Sequence, residues 1–227
     1  MIKGVLFDLD GTLIDSMSVW DTVGIRLLES YKIKAPTNFN EIVKTMTVSQ
    51  AAEYLKQHFL PKQTIKEIHL AILQQVMEQY LYQVPARPGV EALLELLYQR
   101  DIKMCVVTAN EKPLAEGALK RLGLLHYFSF VLSCSELNCT KSSATIYDEA
   151  INRLQLSKEE VVVFEDALHC IQTAKKAGYM VIGVYDKAAD LSKETEEIKC
   201  LCDDYILDYT SWIKERNHET NFDDCRF

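Results

Sequence analysis

Five short apolar runs limit the fold more than any other feature: "IKGVLFD" (2–8), "KMCVVTA" (103–109), "SFVLSC" (129–134), "VVVFED" (161–166) and "YMVIGVY" (179–185). Each is rich in β-branched residues and nearly continuous, the pattern of a strand covered on both faces in a parallel sheet. "DDYILD" (203–208) is a weaker sixth run. Helical patterns lie between them. "GVEALLELLYQRD" (89–101) sets Val90, Leu93, Leu94 and Leu97 at helical spacing. "PLAEGALKRLGL" (113–124), "SATIYDEAINRLQL" (143–156) and "ALHCIQTAKKAG" (167–178) follow, with Gly123 and Gly178 placed as C-caps. Strands alternating with helices predict an α/β fold built on a doubly wound parallel sheet.

One interval breaks the alternation. Between the first run and Gly89 the chain reads only as helix: "SMSVWDTVGIRLLESY" (16–31), "TVSQAAEYLKQHFL" (47–60) and "TIKEIHLAILQQVMEQYLYQV" (64–84), with Pro36, Pro61 and Pro85 at the breaks. Leu70, Leu73, Val76, Met77, Tyr80 and Leu81 give the last helix a long apolar stripe. The expected organisation is a core of residues 1–15 and 87–215, a helical cap of 16–86 inserted into it, and a polar tail of 216–227. The hinges fall near Ile14–Asp15 and Val84–Arg87.

A net charge of −8, with scattered Lys and Arg, argues against nucleic-acid or anionic-membrane partners, which need basic patches. No apolar run approaches the roughly 18 residues of a membrane span. The N-terminal apolar stretch is too short for a signal peptide and ends in carboxylates. Seven cysteines without a C-x-x-C pair read as reduced thiols. A cytoplasmic protein, monomeric or weakly dimeric, is expected.

Ligands of parallel sheets bind at the carboxyl ends of the strands. Asp8 and Asp10 follow the first run, Thr108 ends the second, and Glu165 and Asp166 end the fourth. Lys141 stands in the loop after the third. Crowded carboxylates repel one another, and a divalent cation relieves that. With oxygen-only donors the cation is Mg²⁺ rather than Zn²⁺. A lysine and a hydroxyl beside such a cation suit a phosphate group.

These motifs resemble those of the haloacid dehalogenase-like hydrolases, in the subgroup whose helical cap follows the first motif. "DLDGT" (8–12), the Thr of "VVTAN" (106–110), Lys141 in "CTKSSATIYDEA" and "VFEDALHCIQTAKKAG" (163–178) match in order and spacing over nearly the whole chain to about residue 210. The resemblance implies a Rossmann-like core and an Mg²⁺-dependent phosphatase of small phosphomonoesters, such as a sugar phosphate or nucleotide, working through an aspartyl-phosphate. It implies Asp8 as nucleophile and Asp10 as general acid, then base. Asp8, the Asp10 backbone carbonyl and Asp166 would hold the metal, with Glu165 close by. Thr108, Lys141 and Asn110 would hold phosphate.

The chain departs from that pattern in places. The family's Lys-Pro-x-Pro-Asp stretch is here Lys141-Ser142-Ser143-Ala144-Thr145, which predicts a more flexible lysine loop, with Ser142 or Ser143 capping the next helix. His169 and Cys170 stand where a small residue is usual. A related sugar phosphate mutase would carry a histidine where this chain has Trp20, and an Arg- and Gly-bearing cap loop where it has "KTMTVSQAAEY" (44–54). Asp10 counts against carbon–halogen cleavage. A phosphonatase would need a cap lysine such as Lys44 or Lys56. A weakly active binding or regulatory module on the same scaffold is the non-enzymatic alternative. Specificity is expected from Met17, Trp20, Met46, Thr47, Ser49 and Tyr54 on the cap, which suit an uncharged or partly apolar leaving group.

Overall fold

The computed structural model describes residues 1–43 and 46–218. Lys44 and the tail residues 219–227 lie outside them. Six parallel strands, β1 (Gly4–Phe7), β2 (Lys103–Thr108), β3 (Val131–Ser133), β4 (Val161–Glu165), β5 (Met180–Val184) and β6 (Asp204–Ile206), form one sheet in the order β3-β2-β1-β4-β5-β6. All six apolar runs are therefore strands. Their period-two alternation feeds two cores. Val5 and Phe7, Met104 and Val106, and Val162 and Phe164 enter one. Leu6, Cys105, Val107, Val161 and Val163 enter the other. A strand buried on both faces has no room for polar residues, which explains the continuous runs.

Four helices follow β1: α1 (Met17–Ser30), α2 (Phe39–Val43), α3 (Val48–His58) and α4 (Ile65–Tyr82). The rest of the chain supplies α5 (Val90–Tyr98), α6 (Lys112–Arg121), α7 (Thr145–Leu154), α8 (Leu168–Lys176), α9 (Lys187–Ser192), α10 (Thr195–Leu201) and α11 (Tyr209–His218). The short helices α2, α9 and α10 lack enough turns to show a period in the sequence. The tail was expected to begin at 216, but α11 carries regular structure to His218. Among the described residues, no helix is long and apolar enough to cross a membrane.

Helix α4 corrects one expectation. Its buried face is Ile68, Ile72, Val76 and Tyr80, at strict four-residue spacing, while Leu70 and Met77 are exposed. The helix has apolar residues on more than one side, and the predicted stripe mixed two of them. The buried face packs on α1 and α3, and α4 also contacts α6 of the core. Thr47 and Thr64 open α3 and α4 with reciprocal capping boxes to Gln50 and Glu67.

The chain leaves and re-enters the core through a short paired segment. Asp15 N–H donates to Pro85 O at 3.0 Å, and Arg87 N–H to Leu13 O at 3.0 Å. Ile14 and Ala86 form an antiparallel bridge between them.

Candidate active site

Asp8 is the first residue beyond β1, and its N–H donates to Phe164 O of β4 at 2.9 Å. The chain then turns tightly. Leu9 O accepts from Leu13 N–H at 2.9 Å and Ile14 N–H at 3.0 Å, and Gly11 N–H donates to Ile14 O at 2.9 Å. Gly11 has φ +87°, and a Cβ there would run into the Asp166 carboxylate. Both backbone conformation and packing therefore demand glycine. The turn sends Asp8 and Asp10 into different surroundings.

Asp8 joins Glu165 and Asp166 in a buried cluster whose carboxylate oxygens lie within 4.8 Å of one another. Lys141 Nζ reaches between two of them, donating to Asp8 Oδ1 and to Glu165 Oε2 at 2.8 Å. Thr12 Oγ1 donates to Asp166 Oδ1 at 3.0 Å. Burial, then repulsion from Glu165, holds Asp8 well above the usual carboxylate range, against the pull of Lys141. Burial, then Asp8 and Glu165, does the same to Asp166. Burial opposes a charged Lys141, but Asp8 and Glu165 outweigh it and keep the ammonium protonated. One ammonium facing three carboxylates leaves uncompensated negative charge. The donor set is oxygen only, which fits a hard divalent cation of the Mg²⁺ type.

Asp10 meets hydrogen-bond donors instead. Ser16 Oγ donates to its Oδ1 at 2.6 Å, Tyr80 OH donates to the same oxygen, and Asn110 Nδ2 donates to Oδ2 at 3.3 Å. Trp20 Nε1 in turn donates to Tyr80 OH at 2.5 Å. Two cap helices, α1 and α4, thus converge on one core carboxylate. Burial raises Asp10 above its ordinary value, with the Ser16 and Tyr80 hydrogen bonds working the other way. Burial, then the Asp10 charge, holds the Tyr80 phenol well above its ordinary value, so it stays a donor.

The other expected residues are partly gathered. A cavity of about 450 Å³ between cap and core is lined by Asp8, Asp10, Asn110, Lys141, Glu165 and Asp166, and by Met17, Trp20, Met46 and Thr47 of the cap. Thr108 is buried at the end of β2 and is not on the cavity wall; its Oγ1 accepts from Asn110 N–H at 2.9 Å. Asn110, expected on phosphate, has its amide against Asp10 and Glu111 N–H. Thr47 spends its hydroxyl on the cap of α3. Ser49 is off the wall, exposed and 3.3 Å from His69 Nδ1. Tyr54 is also off it, packed against His58 and Phe59. His169 lines the cavity, with Nε2 3.2 Å from Cys170 Sγ.

Ser143 of the lysine loop makes local hydrogen bonds. Ser143 N–H donates to Thr140 O at 3.1 Å, closing a turn, and Ser143 Oγ accepts from Thr145 N–H at 3.3 Å. Lys141 is only 4% exposed.

Sequence reasoning overlooked Tyr80, whose helical spacing marked it only as apolar. A tyrosine on a buried helical face has a hydroxyl that needs a partner, and that was the available signal. It also overlooked Arg87, which donates to Gly11 O at 2.7 Å and pairs with Asp186 at 3.0 Å, tying the first motif to the end of β5.

The chain is similar to several known phosphatases. Fructose-1-phosphate phosphatase YqaB of Escherichia coli is 29% identical over 186 residues, 80% of this chain and 95% of that protein. A phosphorylated carbohydrates phosphatase of Thermotoga maritima is 25% identical over 177 residues, 78% of this chain and 82% of that protein. A β-phosphoglucomutase structure from Clostridium difficile superposes with a TM-score of 0.77 at 19% identity, covering 97% of this chain and 99% of that one, a likeness of fold alone. Residues 5–184 match the family described as haloacid dehalogenase-like hydrolase. With that match spanning most of the core and the whole inserted cap, the chain belongs to the haloacid dehalogenase-like hydrolases, in the subgroup with a helical cap after the first motif.

Proposed function

We propose that the protein is a cytoplasmic, Mg²⁺-dependent phosphatase of small phosphomonoesters, working through an aspartyl-phosphate on Asp8. One observation carries this reading. Asp8 is held by Lys141 inside a cluster fit for a cation, while Asp10, two residues on, is turned to proton-donating partners. Asp8 attacks phosphorus, an Asp8 Oδ–P bond forms, and the bond from phosphorus to the ester oxygen breaks. Asp10 gives its proton to the departing oxygen. It then takes a proton from the water that attacks the aspartyl-phosphate, releasing inorganic phosphate and restoring the Asp8 carboxylate and the Asp10 carboxylic acid. Lys141 balances the phosphoryl charge. Asp8, Glu165, Asp166 and the Asp10 carbonyl would hold Mg²⁺, which neutralises carboxylate and phosphoryl charge when bound. Residues 1–15 and 87–215 form the catalytic unit in this reading, and 16–86 the cap that excludes water.

Relatives named as phosphatases of phosphorylated carbohydrates and of fructose 1-phosphate support hydrolysis. A mutase must hold two phosphates, and among the described residues the cavity wall carries one lysine and no arginine. Hydrolysis of p-nitrophenyl phosphate, abolished by chelator and restored by Mg²⁺, is the expected result. No turnover under either condition would overturn the reading.

The cation also has a readout independent of turnover. Asp166→Asn removes one ionisable group from the crowded cluster while leaving an acceptor for Thr12. In chelator the variant should melt a few degrees above the parent, since about 1 kcal/mol moves a domain of this size by roughly 2–4 °C. It should also lose the rise in melting temperature that Mg²⁺ gives the parent. Equal shifts with Mg²⁺ in both proteins would remove Asp166 from the metal site.

Tyr80 is proposed to position Asp10 and its proton. Tyr80→Phe keeps the ring and removes the hydroxyl. Single-turnover phosphorylation by phenyl phosphate should slow about tenfold, while that by 2,4-dinitrophenyl phosphate changes by less than about twofold, because a good leaving group needs no proton. Equal slowing on both would mean that Tyr80 serves only packing.

A further inference from the structure

Arg87 ends the linker by which the chain re-enters the core. One guanidinium nitrogen donates to Gly11 O at 2.7 Å and to Asp186 Oδ2 at 3.0 Å, and the other donates to Tyr185 O. The pair with Asp186 is buried, at 14% and 5% side-chain exposure. Tyr209 OH, buried at the start of α11, donates to Thr12 O at 3.1 Å. Two consecutive carbonyls of the first-motif turn are therefore held from outside the turn. The same two residues hold Asp166. Thr12 Oγ1 donates to Asp166 Oδ1 at 3.0 Å, and Gly11 lies so close to this carboxylate that a Cβ would collide with it.

A guanidinium fork fixes direction as well as charge. Its bond to Gly11 O sets the plane of the Gly11–Thr12 peptide, and with it the start of Thr12, whose hydroxyl holds one Asp166 oxygen. We propose that Arg87 and Tyr209 are positioning residues for the cation site: through Gly11 and Thr12 they fix the Asp166 carboxylate in the orientation that binds Mg²⁺. Neither side chain lines the cavity, so both act through the turn. The proposal rests on the cation reading of the Asp8, Glu165 and Asp166 cluster and adds the residues that shape it.

The test is Mg²⁺ binding to the folded proteins, measured by calorimetry without substrate. Arg87→Met alone would strand the buried Asp186 carboxylate, so it is paired with Asp186→Asn, which leaves the net charge as in the parent. The double variant should bind Mg²⁺ at least about tenfold more weakly, the usual effect of removing a group that orients a metal ligand. Asp186→Asn alone keeps Arg87 on Gly11 O. It should lose less than the double variant, although its net charge is one unit more positive. Tyr209→Phe keeps the ring, changes no charge and should weaken binding by about three- to tenfold. Thr12→Val removes the hydroxyl from Asp166. It should weaken binding in the parent, but by less than about twofold in the double variant, where the same path is already cut.

A greater loss in Asp186→Asn than in the double variant would mean that Arg87 acts through charge, and would overturn the proposal. So would fully additive losses with Thr12→Val. A lower melting temperature in chelator with unchanged Mg²⁺ affinity would leave Arg87 and Tyr209 with packing alone. If the double variant does not fold, Tyr209→Phe combined with Thr12→Val decides by the same non-additivity. No Mg²⁺ binding by the parent would remove the cation reading, and the proposal with it. Parental affinity in every variant would overturn the proposal and leave that reading standing.

Discussion

Asp8→Asn should reduce Mg²⁺-dependent hydrolysis of p-nitrophenyl phosphate by roughly 10⁴-fold or more, to the level of the protein-free blank. Asparagine matches aspartate in size, so the β1 terminus and its hydrogen bond to Phe164 O should survive. Lys141 retains Glu165 at 2.8 Å. What disappears is the one oxygen able to become an acyl phosphate. Acid quenching during turnover of ³²P-labelled substrate should therefore leave label on the parent protein and none on the variant. The variant should also melt no lower than the parent in chelator, since one of three mutually repelling buried carboxylates has gone. A variant that kept activity would exclude Asp8 as nucleophile. Inactivity of parent and variant alike would favour a phosphate-binding module, the scaffold's other use.

The fold was legible because the sheet is buried on both faces. Runs such as Val161-Val162-Val163-Phe164 have no solvent side, so no polar residue interrupts them, and they stand out without homologues. Strand order was less legible. Only the register of Phe7 with both Val106 and Phe164 shows that β1 lies between β2 and β4, bringing Asp8 beside Glu165. The site's acids were legible because each lies at or just after a strand end, and Lys141 because it stands in the loop between β3 and α7. The cap face was not. Helical periodicity identifies a helix but not which of several apolar sides faces inward, so Tyr80 was read as filler and Leu70 as core, although Leu70 is 54% exposed. Ser49 and Thr47 show the same limit. Both sit at the start of α3, yet one hydroxyl caps the helix and the other faces His69. The Thr47 cap follows a local Thr-x-x-Gln pattern, whereas the Ser49 hydroxyl meets His69, 20 residues away in α4, which no local pattern encodes.

Asp10→Asn should separate the two halves of the reaction. Asparagine still accepts the hydrogen bonds of Ser16 and Tyr80 at its carbonyl, so the loop and cap contacts have reason to persist. It cannot donate a carboxylic proton or receive one. With phenyl phosphate, whose leaving group needs protonation, phosphorylation of Asp8 should slow by about 10²–10⁴-fold, the usual contribution of general acid catalysis. With 2,4-dinitrophenyl phosphate the phenolate departs unaided, so phosphorylation should stay near the parent rate. Hydrolysis of the aspartyl-phosphate still needs a base to take the proton of water, and that base is missing. The expected record is a burst of dinitrophenol stoichiometric with protein, followed by slow turnover, with phosphoenzyme accumulating to match the burst. In the proposed mechanism both roles would fall to one side chain, and burial pushes Asp10 toward its protonated form. An equal loss on both esters with no burst would assign Asp10 to shaping the turn, and the proton would have to come from another group on the cavity wall.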